Sequence, residues 1–300
     1  MTIRALSEGR IRMDAILFAT DFSPASHAAS LYATALAEHF HSVLTLVHVF
    51  LPSLSAQEFE ARAGTASDQR KLIEQKLELT TQALAPRGGT AKSLLLEGDP
   101  SVMLAKEASL SNVALLVLGT HGGNRVARHL LGSVAENILR RSAIPVLTVG
   151  PHVLTSDRVP PFQRILYATD ASPVAAQAAP LACAFAKSFS ALLEVVSVLD
   201  EHAGSVAEIV SELDFRTQQE LGAHLAERCI HFENPRGIAY SEHAHDEILH
   251  RLKQDNCDLL VLGLEQKSSL GMVDRNSEAF RIIVDAPCPV LTITDAACGS

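Results

Sequence analysis

Apolar positions fall into short runs rather than one long stripe. In the first half of the chain the runs are 16–19, 43–50, 93–96, 114–118 and 146–149, rich in Val, Ile and Leu and bounded by turn residues. Runs of this length, apolar at consecutive positions, read as parallel strands buried on both faces. Segments with helical spacing lie between them. Ser23-Pro24 reads as an N-cap followed by proline at the first helical position. Residues 69–84 and 101–108 supply two more helices, the second opened by Asp99-Pro100, and 133–140 supplies the last. Alternating β and α predicts a parallel sheet with helices on both faces and right-handed crossovers.

The pattern then repeats. Ile16-Leu17-Phe18-Ala19-Thr20-Asp21-Phe22-Ser23-Pro24 returns 149 positions later as Ile165-Leu166-Tyr167-Ala168-Thr169-Asp170-Ala171-Ser172-Pro173. Leu115-Leu116-Val117-Leu118-Gly119 returns as Leu259-Leu260-Val261-Leu262-Gly263, and Pro145-Val146-Leu147-Thr148 as Pro289-Val290-Leu291-Thr292, each 144 positions on. The repeat is a whole domain long, far beyond a solenoid unit of ~20–50 residues. The first copy is placed at 12–150 and the second at 162–297. Gly150-Pro151 closes one, and the stiff spacer Val159-Pro160-Pro161 precedes the other.

Composition narrows the classes. A chain of 300 residues suits two domains, and 47% hydrophobic residues is too many for wholesale disorder. The net charge of −9 argues against a duplex-DNA or polybasic membrane binder. No apolar run nears the ~20 residues a spanning helix needs. The longest candidate, 181–198, is broken by Lys187 and Glu194. Residues 1–13 carry Arg4, Glu8, Arg10 and Arg12 without an apolar core, so no secretory signal is expected. All five cysteines lie in the second half without a CxxC pair, so neither a disulfide framework nor a zinc ribbon is expected. The expectation is a soluble cytoplasmic protein.

The candidate chemistry sits after the fourth strand of the first copy. Gly119-Thr120-His121-Gly122 is followed by nine residues and then Gly132-Ser133, which opens a helix. Glycines let a backbone approach an anion and permit positive φ, and the unpaired N–H groups of a helix start favour phosphate. Ser133 and Glu136 have the S-x-x-E spacing of a capping box. Arg125, Arg128 and His129 in the spacer read equally as phosphate donors or as a solvated loop. Neither G-x-x-x-x-G-K-[ST] nor G-x-G-x-x-G is present.

The glycine signature, together with Ile16 to Ser23, Val47-His48-Val49 and Ile144-Pro145-Val146-Leu147-Thr148, resembles the universal stress protein family over essentially the whole chain as two copies. The resemblance implies two tandem Rossmann-like, doubly wound α/β domains. Each would be a five-stranded parallel sheet in the order 3-2-1-4-5 with helices on both faces, and the fifth strands would pair between domains. It further implies an ATP site with Mg²⁺. Carried over residue by residue, Asp21 would meet the ribose or a phosphate-bound Mg²⁺, Ala19 and Thr20 would line the nucleoside side, and the backbone of Val49 would face adenine. Gly119, Gly122, Gly132 and Ser133 would form the phosphate loop, with Val134 adding a helix-start N–H. Asp21 also lies where open α/β sheets bind ligands, at the carboxyl end of the first strand.

The second copy departs from the signature. Gly119 maps to Gly263 and Ser133 to Ser277, but Gly122 maps to Gln266 and Gly132 to Asn276. Side chains at positions of positive φ and the charge of Glu265 would disfavour phosphate. The second copy is therefore expected to keep the fold and Asp170 but to have lost ATP, serving as a built-in pairing partner. Other groupings are weaker. Glu242, His243, His245, Asp246 and His250 lack i, i+4 histidines and read as a solvated acidic helix start rather than a metal site. His48 reads as a satisfied residue inside a strand. No catalytic grouping is legible, and the function expected is nucleotide binding in a stress-response or regulatory role. The alternatives are slow ATP hydrolysis or nucleotidyl transfer, and a non-nucleotide interaction module. A homodimer is compatible with the sequence; a nucleic-acid or membrane partner is not expected.

Overall fold

The computed structural model describes residues 11–51, 66–110, 113–121, 131–153, 162–169, 173–199, 238–240, 244–264 and 278–294. The first half runs β1 (Ala15–Ala19), α1 (Pro24–Phe40), β2 (Val43–Phe50), α2 (Ala66–Ala83), β3 (Ala91–Glu97), α3 (Pro100–Leu110), β4 (Leu115–Gly119), α4 (Ser133–Arg141) and β5 (Val146–Val149). The second runs β6 (Arg164–Thr169), α5 (Pro173–Phe189), β7 (Leu192–Leu199), β8 (Ile238–Tyr240), α6 (Ala244–Gln254), β9 (Leu259–Leu264), α7 (Glu278–Asp285) and β10 (Val290–Thr294).

The α/β class stands. Each half has the order 3-2-1-4-5, and pairing of the two fifth strands joins them into one sheet of ten strands, ordered β3-β2-β1-β4-β5-β10-β9-β6-β7-β8. Within each half the neighbours are parallel; β5 and β10 meet antiparallel, Leu147 opposite Leu291. The reason is an edge problem. All four residues of β5 and all five of β10 are buried, so an open edge on either would leave backbone N–H and C=O groups unpaired. Thr148 and Thr292, equivalent across the repeat, reinforce the seam. Their hydroxyls donate to Val290 O and Val146 O, each at 3.2 Å.

Alternate strand residues feed two cores that both run through the seam. Ile16 and Phe18 join one core with α1, α5 and Tyr167; Leu17 joins the other with Leu104, Ile138, Leu139 and Ile282. Small residues bring α1 close to the sheet: Ala29, Ala33 and Ala37 are buried, and a Cβ on Gly119 would lie 3.0 Å from the Ala25 carbonyl carbon. The edge strand β3 keeps Lys92, Ser93 and Glu97 exposed, as edges that resist pairing do.

Two cysteine readings part company. Cys257 and Cys288 are free and buried, and burial pushes the Cys257 thiol up to about 12. Cys183, by contrast, is disulfide-bonded, where no disulfide was expected. No helix among the described residues is long and apolar enough to cross a membrane.

Candidate functional site

A cavity of about 730 Å³ opens at the carboxyl ends of β1, β2 and β4. It falls within the ~300–1,000 Å³ of typical ligand clefts and lies where strand order reverses. β1 ends at Ala19, and Thr20 carries its ladder one step further through N–H to Val47 O at 2.9 Å. Strand geometry turns the backbone N–H and C=O of residues two apart to the same side. Val49 therefore presents both to the side where β1 has already stopped.

The turn after β1 is tightly specified. Ser23 caps α1, accepting from Ser26 N–H at 3.2 Å, as the Ser23-Pro24 pair predicts. Thr20 Oγ1 accepts from Phe22 N–H at 3.0 Å and sits 3.1 Å from Ser26 Oγ. Asp21 is exposed at the cavity, and one carboxylate oxygen accepts from Ser23 N–H at 2.9 Å. Among the described lining residues Asp21 is the only carboxylate.

The opposite wall is the start of α4. Thr120 is fully buried; its N–H donates to Val149 O at 3.1 Å, and its carbonyl accepts from Gly132 N–H at 2.8 Å. That bond pins together the two ends of the segment between them. Gly132 is the N-cap and offers no side chain. The first helical bond runs from Glu136 N–H to Gly132 O at 2.8 Å, so the N–H groups of Ser133, Val134 and Ala135 precede it and face no intrahelical acceptor. Here the structure corrects the capping-box reading. Ser133 is the first helical residue, and the Glu136 carboxylate is held by Arg140 at 3.1 Å one turn on.

The cavity brings together Ala19, Thr20, Asp21, Val49, Gly119, Gly132, Ser133 and Val134. Gly122, Arg125, Arg128 and His129 lie outside the described residues, as do Asp170, Glu265, Gln266, Asn276 and Ser277. The glycines' roles also need correcting. Gly132 has φ −64°, open to any residue, so it is not there for positive φ. Gly119 is required by the closeness of α1. Sequence reasoning missed Ser26, His48, Pro100, Leu104, His121 and Leu131 in the wall. They converge from elements far apart in the chain and carry no shared local signal.

In the second half Asp246 and His250 are exposed, as a solvated helix start requires, Glu242 and His243 lie outside the described residues, and His245 departs from that reading. His245 is buried, with Nδ1 at 2.8 Å from Asp246 and Nε2 at 2.9 Å from Asp285. Its backbone N–H donates to Glu278 Oε1 at 3.0 Å. No group of three metal-ligating side chains occurs among the described residues. Glu278 lies 144 positions after Val134 and is a feature the repeat offset alone could have exposed.

The fold and cleft define a doubly wound α/β protein with a ligand-sized cavity at its switch point. The universal stress protein family model matches residues 13–150 and 161–294, and the chain belongs to that family. A universal stress protein of Mycobacterium tuberculosis is 30% identical over 226 residues, 71% of this chain and 72% of the relative. One from Methanocaldococcus jannaschii is 33% identical over 98 residues, 32% of this chain and 57% of the relative. The crystal structure of a universal stress protein from Archaeoglobus fulgidus superposes with a TM-score of 0.70 at 22% identity, covering 95% of this chain and 99% of that one. It supports the fold.

Proposed function

We propose that the protein binds ATP with Mg²⁺ in the cleft of its first half, in a stress-response or regulatory capacity, and that the second half binds none. The observation that carries this reading is the convergence on one cavity of three complementary features. They are the N–H groups at the start of α4, a single carboxylate with an oxygen to spare, and an apolar wall formed by Ala19, Val47, Val49, Leu104 and Leu118. Phosphates suit the first, a nucleobase the last. Asp21 fits Mg²⁺, which is commonly held by one or two carboxylates plus substrate phosphates while keeping several waters. In the second half, Glu278 sets a carboxylate at the helix position that Val134 occupies in the first, which opposes phosphate by like charge.

Binding is the proposed role rather than turnover. The test is calorimetric titration of nucleotide-stripped protein with ATP and Mg²⁺, with phosphate and AMP release followed in parallel. One site per chain and no release is the expected result. Two sites would overturn the division between halves, and no binding by folded protein would overturn the nucleotide reading. Steady release would make the protein an enzyme.

A further inference from the structure

We infer that His48 is a positioning residue for Asp21, an inference that rests on the nucleotide-binding reading of the cleft. His48 Nδ1 lies 2.8 Å from Thr20 O. A carbonyl only accepts, so Nδ1 carries the proton and donates. β2 thus engages both backbone groups of Thr20, Val47 O taking its N–H and the His48 ring its carbonyl. That fixes the peptide leading into Asp21.

His48 also supports the next step of the turn. Phe22 has φ +60°, a region that bulky side chains seldom occupy and hold only where the surroundings enforce it. The Phe22 ring lies 4.7 Å from the His48 ring, and Lys76 Nζ lies 4.3 Å from the Phe22 centroid. Phe22 N–H is meanwhile tied to Thr20 Oγ1. Asp21 sits between a carbonyl held by His48 and a strained residue packed on His48. The imidazole therefore braces the Thr20–Ser23 turn from both sides and holds the carboxylate at the cavity.

The second half bears on the argument. The residue 149 positions after His48 is Ser197, which pairs in register with Thr169 as the repeat requires, and the residue matching Phe22 is Ala171. The imidazole and the Phe22 ring are replaced together, by a short hydroxyl side chain and a methyl group, in the half proposed to bind no nucleotide.

The test is a double-mutant cycle on the full chain with ATP and Mg²⁺. His48→Phe keeps a ring against Phe22 but removes the donor, and His48→Asn restores an N–H at the same place. Removing one such hydrogen bond should weaken ATP about three- to tenfold, His48→Asn should recover affinity, and His48→Phe should have no further effect in an Asp21→Asn background. Unchanged affinity in His48→Phe, or the same loss with and without Asp21, overturns the inference; the latter would mean that His48 touches the ligand itself. A second readout does not need ATP. In the nucleotide-free protein, amide resonances of Thr20 to Ser23 should move in His48→Phe and return in His48→Asn. If they stay fixed, the bracing role is wrong. If wild type binds no ATP yet these resonances respond, the nucleotide reading fails and the bracing of the turn survives.

Discussion

The starts of α4 and α7 come from the same position of the repeat and begin with opposite chemistry. α4 opens on Gly132, Ser133 and Val134, all uncharged and all lining the cavity. α7 opens on Glu278, whose carboxylate reaches across to the N–H of His245 near the start of α6. The helix that α6 matches in the first half, α3, needs no such help, because Asp99 accepts from Val102 N–H at 3.0 Å. The repeat therefore places an uncharged helix start at the cavity in the first half and, at the matching position of the second, a carboxylate that accepts from the start of the neighbouring helix.

The largest test of that contrast is to move the charge. Val134→Glu should weaken ATP by at least about a hundredfold, since a like charge near 4 Å opposes phosphate by several kcal/mol at intermediate dielectric. Val134→Thr, similar in shape and uncharged, should bind nearly as wild type. Calorimetry reads the affinity and a thermal melt confirms folding. Near-normal affinity in folded Val134→Glu would show that phosphates do not approach α4. The reciprocal change is smaller. Glu278→Val removes the acceptor at the start of α6 and should cost about 1 kcal/mol, read as a lower denaturant midpoint. It should create no second ATP site. A second site would mean that Glu278 alone silences that half and that Gln266 and Asn276 do not matter.

What the sequence revealed follows what each feature depends on. Strands buried on both faces are legible as apolar runs, and β2 and β5 fall where the runs end. β3 extends to Ala91–Glu97, beyond the 93–96 run, because an edge strand carries polar residues such as Lys92 that break the run. β8 passed unread, being three residues long. At the cavity, Asp21 and Gly132-Ser133 are legible because they follow a strand end and open a helix, whereas Ala19, Thr20 and Val134 enter only through the family resemblance. The walls formed by Leu104, His48 and His121 were not legible, since only the folded sheet brings them together. The capping box failed because Gly132, not Ser133, is the N-cap, so Glu136 stands one residue past the position that would close it and pairs with Arg140 instead.

The smallest expected effect concerns the axis between the halves, where the repeat meets itself. Phe40 packs edge-on against Phe189, its counterpart 149 positions later, at 5.6 Å. His39 likewise meets its own counterpart, with Nε2 donating to Ser188 O at 3.2 Å while the ring stacks on Phe189 at 4.1 Å. The positions are equivalent but only the first half titrates. Desolvation against that cluster lowers the His39 pKa below 6.5; the Ser188 carbonyl partly offsets this, and His41 adds to the lowering. As pH falls, the unfolded chain binds this proton before the folded one does. His39 thus contributes stability that is fully present above 6.5 and is lost as pH drops from there through its folded value. His39→Phe keeps a ring on Phe189 and removes the titration. Denaturant midpoints at about pH 7.5 and about pH 5.5 should converge more in this variant than in wild type. An identical acid loss in both would mean that His39 does not make the seam sensitive to pH and that other histidines carry the dependence.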